Sequence, residues 1–148
     1  MTAPVIATVA VPLSFLAFDF GTRRVGVASG NTLTGSAQAL RTVAAQGDAR
    51  FEAIGRLVKE WQPDALVVGV PFHPDGAAHD NTVRARRFAR QLHGRFKLPV
   101  HEVDERYTTT EALSDGAKDA DAAAAAIILT QYLRTLPDDV DDLHHAGA

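Results

Sequence analysis

Three acidic positions stand out by where they fall in the chain. Asp19 closes the apolar run Phe15-Leu16-Ala17-Phe18, Asp104-Glu105 follows the short apolar segment 99–103, and Asp121 opens an alanine-rich helical stretch. Polar side chains at strand ends lie where α/β proteins bind ligands. Carboxylates from three chain positions that meet at one sheet end repel one another when ionised, and only a cation or a proton relieves that repulsion. The chain has no Cys, so thiolate metal sites and disulfides are excluded. Hard oxygen donors favour Mg2+ or Mn2+, and two such ions can stabilise the attacking and leaving oxygens of a phosphodiester displacement. Each acid also has a structural reading. Asp19 can be a turn former, Asp104-Glu105-Arg106 an exposed charged turn, and Asp121 a favourable charge at a helix start, where Asp119 competes with it. Asp121 shares the helical stripe of Ala125 and Ile128, which sets it on the core side of its helix.

Two further features bear on chemistry. The turn Gly21-Thr22-Arg23-Arg24 joins two apolar runs, and a glycine turn of this kind lets backbone amides approach a phosphate; it reads equally as a plain hairpin. A similar hairpin opens actin-like and sugar-kinase-like ATPases, but those need a second domain to close over the nucleotide, and neither GxxxxGK[ST] nor GxGxxG is present. Arg86, Arg87, Arg90, His93 and Lys97 share one side of a helical segment and can follow a nucleic-acid backbone or simply face solvent. No aromatic residue interleaves with them, which argues against a base-stacking platform. The histidines at 73, 79, 93, 101, 144 and 145 show no metal-ligand spacing.

The elements that must carry these residues follow from periodicity. Phe15–Phe20 reads as a buried strand and Val25–Gly30 as its returning partner, with a third antiparallel strand within Thr34–Val43. Phe51, Ile54, Leu57, Val58 and Trp61 recur at helical spacing over Arg50–Trp61, closed by Pro63. Ala65–Val70 is continuously apolar, as in a strand covered on both faces. Asn81–Phe96 is amphipathic, with Ala85, Phe88, Ala89, Leu92 and Phe96 on one stripe. Pro99–Val103 is a fifth strand, Thr109–Asp115 a short helix, and Asp121–Leu133 the last helix. A meander followed by alternating strands and helices implies an α/β fold with a mixed sheet.

The totals fit one domain of 148 residues, 46% hydrophobic and 22% charged. The net charge of −3 is concentrated in Asp138, Asp139, Asp141 and Asp142, so the remaining chain is close to neutral and a basic face is permitted. No apolar run reaches the roughly 18 residues of a membrane span, and no basic residue precedes the apolar stretch 3–13 as a signal peptide requires. Residues 1–13 are expected to form a mobile arm, 14–136 the folded domain, and 137–148 a disordered acidic tail.

Five blocks in order, FLAFDFGTRRVGVASG, LVVGVPFHPDG, ARRFARQL, PVHEVDERYTTTEA and DADAAAAAIILTQYL, resemble the YqgF/RuvX family, relatives of Holliday-junction resolvases assigned to maturation of the 5′ end of pre-16S rRNA. The match spans about residues 15–134. It implies a ribonuclease H-like fold: a mixed five-stranded sheet, with an antiparallel three-strand meander and flanking helices. It also implies a metal-dependent cytoplasmic endonuclease whose Mg2+ or Mn2+ is held by acids falling on Asp19, Glu105 and Asp121, which are the expected catalytic residues. Arg23, Arg24, Arg86, Arg87, Arg90, Arg106 and Thr108 are the candidate nucleic-acid contacts. The expected partner is structured pre-rRNA or a ribosomal particle, with branched DNA as an alternative substrate, no membrane, and either a monomer or a dimer. A non-catalytic RNA- or ribosome-binding factor on the same fold is the rival reading, motivated by the stretch between Glu105 and Asp121, which is shorter than in the family. His73 and Tyr107 also replace the family's usual Asn and Leu.

Overall fold

The computed structural model describes residues 11–107 and 120–136. The arm up to residue 10, Thr108, the expected helix 109–115 and the acidic tail with His144 and His145 lie outside the described residues.

Five strands form one sheet in the order β3-β2-β1-β4-β5: β1 (Ser14–Phe20), β2 (Val25–Asn31), β3 (Ala37–Val43), β4 (Ala65–Val70) and β5 (Val100–Asp104). β1, β2 and β3 are the antiparallel meander, and β4 and β5 run parallel to β1. The parallel pairings need crossovers. These are helices α1 (Asp48–Trp61) between β3 and β4, and α2 (Asp80–Phe96) between β4 and β5. A third helix, α3 (Ala120–Thr135), follows a 3-10 turn at Glu105–Tyr107.

Strand alternation sorts the core into two layers. Leu16, Phe18, Val25, Val27, Leu66 and Val68 face α1 and α2, where they meet Ile54, Leu57, Phe88 and Leu92. Phe88 is the hub of an aromatic cluster with Phe18, Phe20 and Phe51. Phe15, Ala17 and Val67 face the other way, onto Ile128 and Leu129 of α3. β4 is buried at every position, as its unbroken apolar run requires.

The boundaries differ from the sequence expectation for local reasons. β3 begins at Ala37 and not at Thr34, because the Asn31 side chain accepts from the Thr34 amide and hydroxyl and folds that stretch into a turn. Pro99, lacking an N–H, contributes only its carbonyl to the Leu66 amide, so β5 starts at Val100. α1 begins at Asp48, whose charge suits a first turn. α2 is capped by the His79 side chain, which accepts from Asn81 N, while Thr82 closes a capping box and also donates to the Pro71 carbonyl.

Candidate active site

The site is built on one row of the sheet. Asp19 pairs with Gly26 on one side and with Gly69 on the other. Directly paired residues project from the same face, so the Asp19 carboxyl stands between two positions that have no side chain. The α3 backbone fills the first vacancy: a Cβ at Gly26 would lie 1.8 Å from the Asp121 carbonyl oxygen. The Glu105 side chain fills the second: a Cβ at Gly69 would lie 2.6 Å from its Oε1 and 2.5 Å from Ile128 Cδ1. The buried small side chains of Ala122 and Ala125 let α3 come this close. The glycines thus bring a distant helix and a distant turn to Asp19.

Between the two acids at 104 and 105, the structure separates the roles that the sequence left open. Asp104 takes two hydrogen bonds from Arg106 Nε and one from Nη2, at 2.7–3.1 Å, and one from the Arg106 amide at 2.9 Å. This pairing holds the Asp104 carboxyl below the usual carboxylate range. Arg106 also reaches the Pro74 carbonyl at 3.5 Å and lies over the Phe72 ring, which ties the 3-10 turn to the loop after β4. Glu105, between the two clamped residues, is turned the other way, over Gly69 and onto Asp19.

Burial pushes the Asp19 carboxyl up to about 8, reinforced by the Glu105 charge, by its hydrogen bond to Glu105 and by the Asp121 charge. Glu105 is also raised, first by burial and then by Asp104, while the hydrogen bond from Asp19 and the charge of His79 act in the opposite direction. Asp19 therefore carries the proton and donates it to Glu105. Asp121 stands at the third corner with its carboxylate 3.2 Å from Arg24 Nε. Among the described residues no three acid, His or Cys side chains already surround one metal-sized point. The donor set nevertheless fits a hard divalent cation: all its atoms are carboxylate oxygens, and the cluster already requires positive charge to persist.

The candidate nucleic-acid contacts fall into two groups. Arg23 and Arg24 lie on the exposed β1–β2 turn beside the acids. Arg86 pairs with Glu102 at 3.3 Å and lies over Phe72, and Arg106 is held by Asp104; either must leave an intramolecular partner before gripping a phosphate with its full fork. Arg87 and Arg90 are exposed on α2, where Arg90 lines a shallow groove with His93, Val100 and Glu102. Sequence reasoning missed Gly26 and Gly69 as parts of the site. A glycine inside the apolar run Ala65–Val70 was the available signal, since strand glycines mark close approach by another group. It also missed His79, which packs edge-on against His73 at 4.7 Å and bears on Glu105 electrostatically.

A mixed five-stranded sheet with strand-end acids, flanked by helices on both faces, defines a ribonuclease H-like α/β protein. The sequence profile of RuvX, described as "Holliday junction resolvase", matches residues 13–135, and the chain belongs to that family. It is 72% identical over 123 residues to a protein of Albidiferax ferrireducens named "Putative pre-16S rRNA nuclease", covering 83% of this chain and 79% of that one. A protein of the same name from a Polaromonas species is 66% identical, covering 84% and 90%. Among solved structures, RuvC of T. thermophilus in complex with a Holliday junction superposes with a TM-score of 0.51 at 14% identity, covering 82% of this chain and 93% of that one; at that identity the likeness speaks for the fold. Among the described residues no helix is long and apolar enough to cross a membrane.

Proposed function

We propose that this chain is a metal-dependent endonuclease that hydrolyses a phosphodiester bond in structured RNA, with the 5′ leader of pre-16S rRNA as its substrate and the cytoplasm as its place of action. The observation that carries the proposal is the half-buried Asp19–Glu105 pair, with Asp19 seated between Gly26 and Gly69 and Asp121 at its side. Two carboxyls drawn together and partly out of water are costly to a fold, and binding a cation is the function that accounts for them. Asp19 and Glu105, with Asp121 once it leaves Arg24, would hold Mg2+ or Mn2+. Such an ion supplies Lewis acidity to phosphodiester hydrolysis. The protein's own contribution is positional: the sheet fixes Asp19, the Asp104–Arg106 clamp fixes the turn bearing Glu105, and contact with Gly26 fixes the start of α3. Arg23 and Arg24 on the adjoining turn, with Arg87 and Arg90 on α2, are placed to follow the RNA backbone.

The test is cleavage of a structured pre-rRNA leader fragment in Mn2+. The wild type is expected to cut it, and Asp19→Asn, which keeps the hydrogen-bonding shape without the charge, is expected to lose cleavage while remaining folded. Undiminished cleavage by that variant removes the mechanism. A four-way DNA junction assayed in parallel addresses the second reading, favoured by the description of the matching family: preferential cutting of the junction would reassign the substrate to branched DNA.

A further inference from the structure

Arg50 is an arginine that the catalytic site does not use and that the fold nonetheless buries, with 7% of its surface exposed. Among the described residues no carboxylate pairs with it. Its Nε donates to the Ala45 carbonyl at 3.0 Å, one Nη2 hydrogen donates to the Thr22 carbonyl at 3.1 Å, and its guanidinium lies over the Phe20 ring at 5.7 Å. These contacts fix the plane of the fork and leave Nη1 without an acceptor among the described residues. The only side-chain polar atom among the described residues that is both sealed from solvent and unpartnered is the Thr42 hydroxyl, so Nη1 is not sealed from solvent. The guanidinium lies near the β1–β2 turn that bears Arg23 and Arg24, on the α1 face of the sheet with Phe20, whereas the Asp19 carboxyl projects from the α3 face at the same end of β1. The nearby acid on the same helix, Asp48, is engaged by Arg95 at 3.2 Å. Gly47, which caps α1, offers no side chain to the first helical amides, so the helix end next to Arg50 is positive as well.

Burying a cation without a counter-ion is unfavourable unless a partner arrives. A planar fork held rigid with its outer N–H groups free matches the geometry of a phosphate oxygen pair. We propose that Arg50 is a preformed seat for a backbone phosphate of the bound nucleic acid, where the chain passes round the end of the sheet from the face that bears the acids. This rests on the nuclease reading for the identity of the strand. Unlike Arg86 or Arg106, Arg50 loses no intramolecular ion pair on engaging its ligand.

The alternative is a purely structural clamp on the β1–β2 turn, and salt dependence separates the two. Binding of a 2′-O-methylated leader oligonucleotide, which cannot be cut, is measured in EDTA across a KCl series. Arg50→Gln is expected to weaken binding about tenfold at moderate salt and to lower the slope of log K against log salt by about 0.7, one phosphate contact on a single strand. Arg50→Lys is expected to recover the slope but only part of the affinity, since it keeps the charge without the fork. A lower melting temperature with an unchanged slope identifies a clamp and overturns the proposal. If Arg50→Gln does not fold, the guanidinium resonances of Arg50 in the wild type decide: they shift on adding the oligonucleotide if the seat is real, and stay in place while the Arg23 signals move if it is not. Wild type that binds but never cleaves in Mn2+ counts against the nuclease reading and leaves the seat standing; wild type that cleaves, with Arg50→Gln unchanged in slope, removes the seat alone; wild type that binds no oligonucleotide removes both.

Discussion

The Asp19 carboxyl donates a hydrogen bond to the Glu105 carboxylate at the point where β1 and β4 run side by side. A proton on Asp19 relieves the repulsion between these acids when no cation is bound, and that has a measurable sign. In the unfolded chain Asp19 titrates near 3.8, and in the fold it is pushed up to about 8. Between those values the folded state binds more protons than the unfolded one, so stability falls as pH rises. In EDTA, therefore, urea denaturation is expected to show stability declining between pH 5 and pH 8, by on the order of a few kcal/mol, and levelling above pH 8. Asp19→Asn should flatten that decline. A stability that rises across the same interval contradicts the shared-proton pair.

The proposed metal binding would meet the same competition. At pH 8 a divalent cation meets a deprotonated cluster; at pH 5 it must displace the proton on Asp19. The rise in melting temperature produced by 1 mM Mn2+ (about the concentration at which weak carboxylate sites fill) is expected to be several degrees at pH 8 and much smaller at pH 5. Glu105→Gln should abolish most of the pH 8 effect. An equal rise at both pH values, or one that survives Glu105→Gln, places the ion elsewhere.

The two glycines that flank Asp19 should differ in their tolerance. At Gly26 the added methyl would meet the backbone of Asp121 and Ala122, which cannot rotate away, so α3 must lift from the sheet. Gly26→Ala is expected to cost about 3 kcal/mol or more and to abolish cleavage. At Gly69 the obstructing atoms are the ends of Glu105 and Ile128, which can move. Gly69→Ala should cost about 1–3 kcal/mol, yet lose activity nearly as fully, because Glu105 is displaced from Asp19. Denaturant titration and cleavage, measured on both variants, separate stability from site geometry.

These glycines also mark where sequence reading ran out. The strands and helices were legible because their apolar spacing is written in contiguous residues: Phe15–Phe20, Ala65–Val70 and the α2 stripe all fall where periodicity puts them. The sheet order and the RuvX relationship agree with the five ordered blocks. What periodicity cannot report is contact between residues distant in the chain. Nothing local to Asp104-Glu105 says which acid turns toward Asp19; that depends on Arg106 folding back onto Asp104 and on a vacancy at Gly69 in another strand. Nothing local to Asp121 reveals that Arg24 pairs with it. Arg50 was hidden for a related reason: an arginine at the start of an amphipathic helix reads as solvent-facing, and its burial depends on carbonyls at Thr22 and Ala45.

On the proposed mechanism the Asp104–Arg106 clamp acts on catalysis through Glu105. Its four hydrogen bonds are exposed to solvent, so weakening the clamp should cost only about 0.2–1 kcal/mol of stability. Asp104→Asn retains shape but not charge. It is expected to lower kcat about tenfold, as a turn that wanders by a fraction of an ångström would, with little change in KM for the leader RNA. Equal losses in KM would instead place Asp104 in contact with substrate.

Arg24 tests the electrostatics from the opposite direction. Its Nε lies 3.2 Å from Asp121 Oδ2, but two thirds of the Arg24 side chain is exposed, against about a third for Asp121. An ion pair this open to water contributes only about 0.2–1 kcal/mol, so Arg24→Gln should leave folding stability nearly unchanged. For an incoming cation, however, Arg24 is a competitor for the same carboxylate. Its removal is expected to tighten Mn2+ binding by about two- to fivefold, the equivalent of that pair energy, measured by calorimetry at pH 8. The gain should vanish in Arg24→Gln/Asp121→Asn, where no carboxylate remains to be released. Weaker Mn2+ binding in Arg24→Gln would mean that the arginine orients Asp121 toward the metal instead of occupying it, and the role assigned to the pair would have to be reversed.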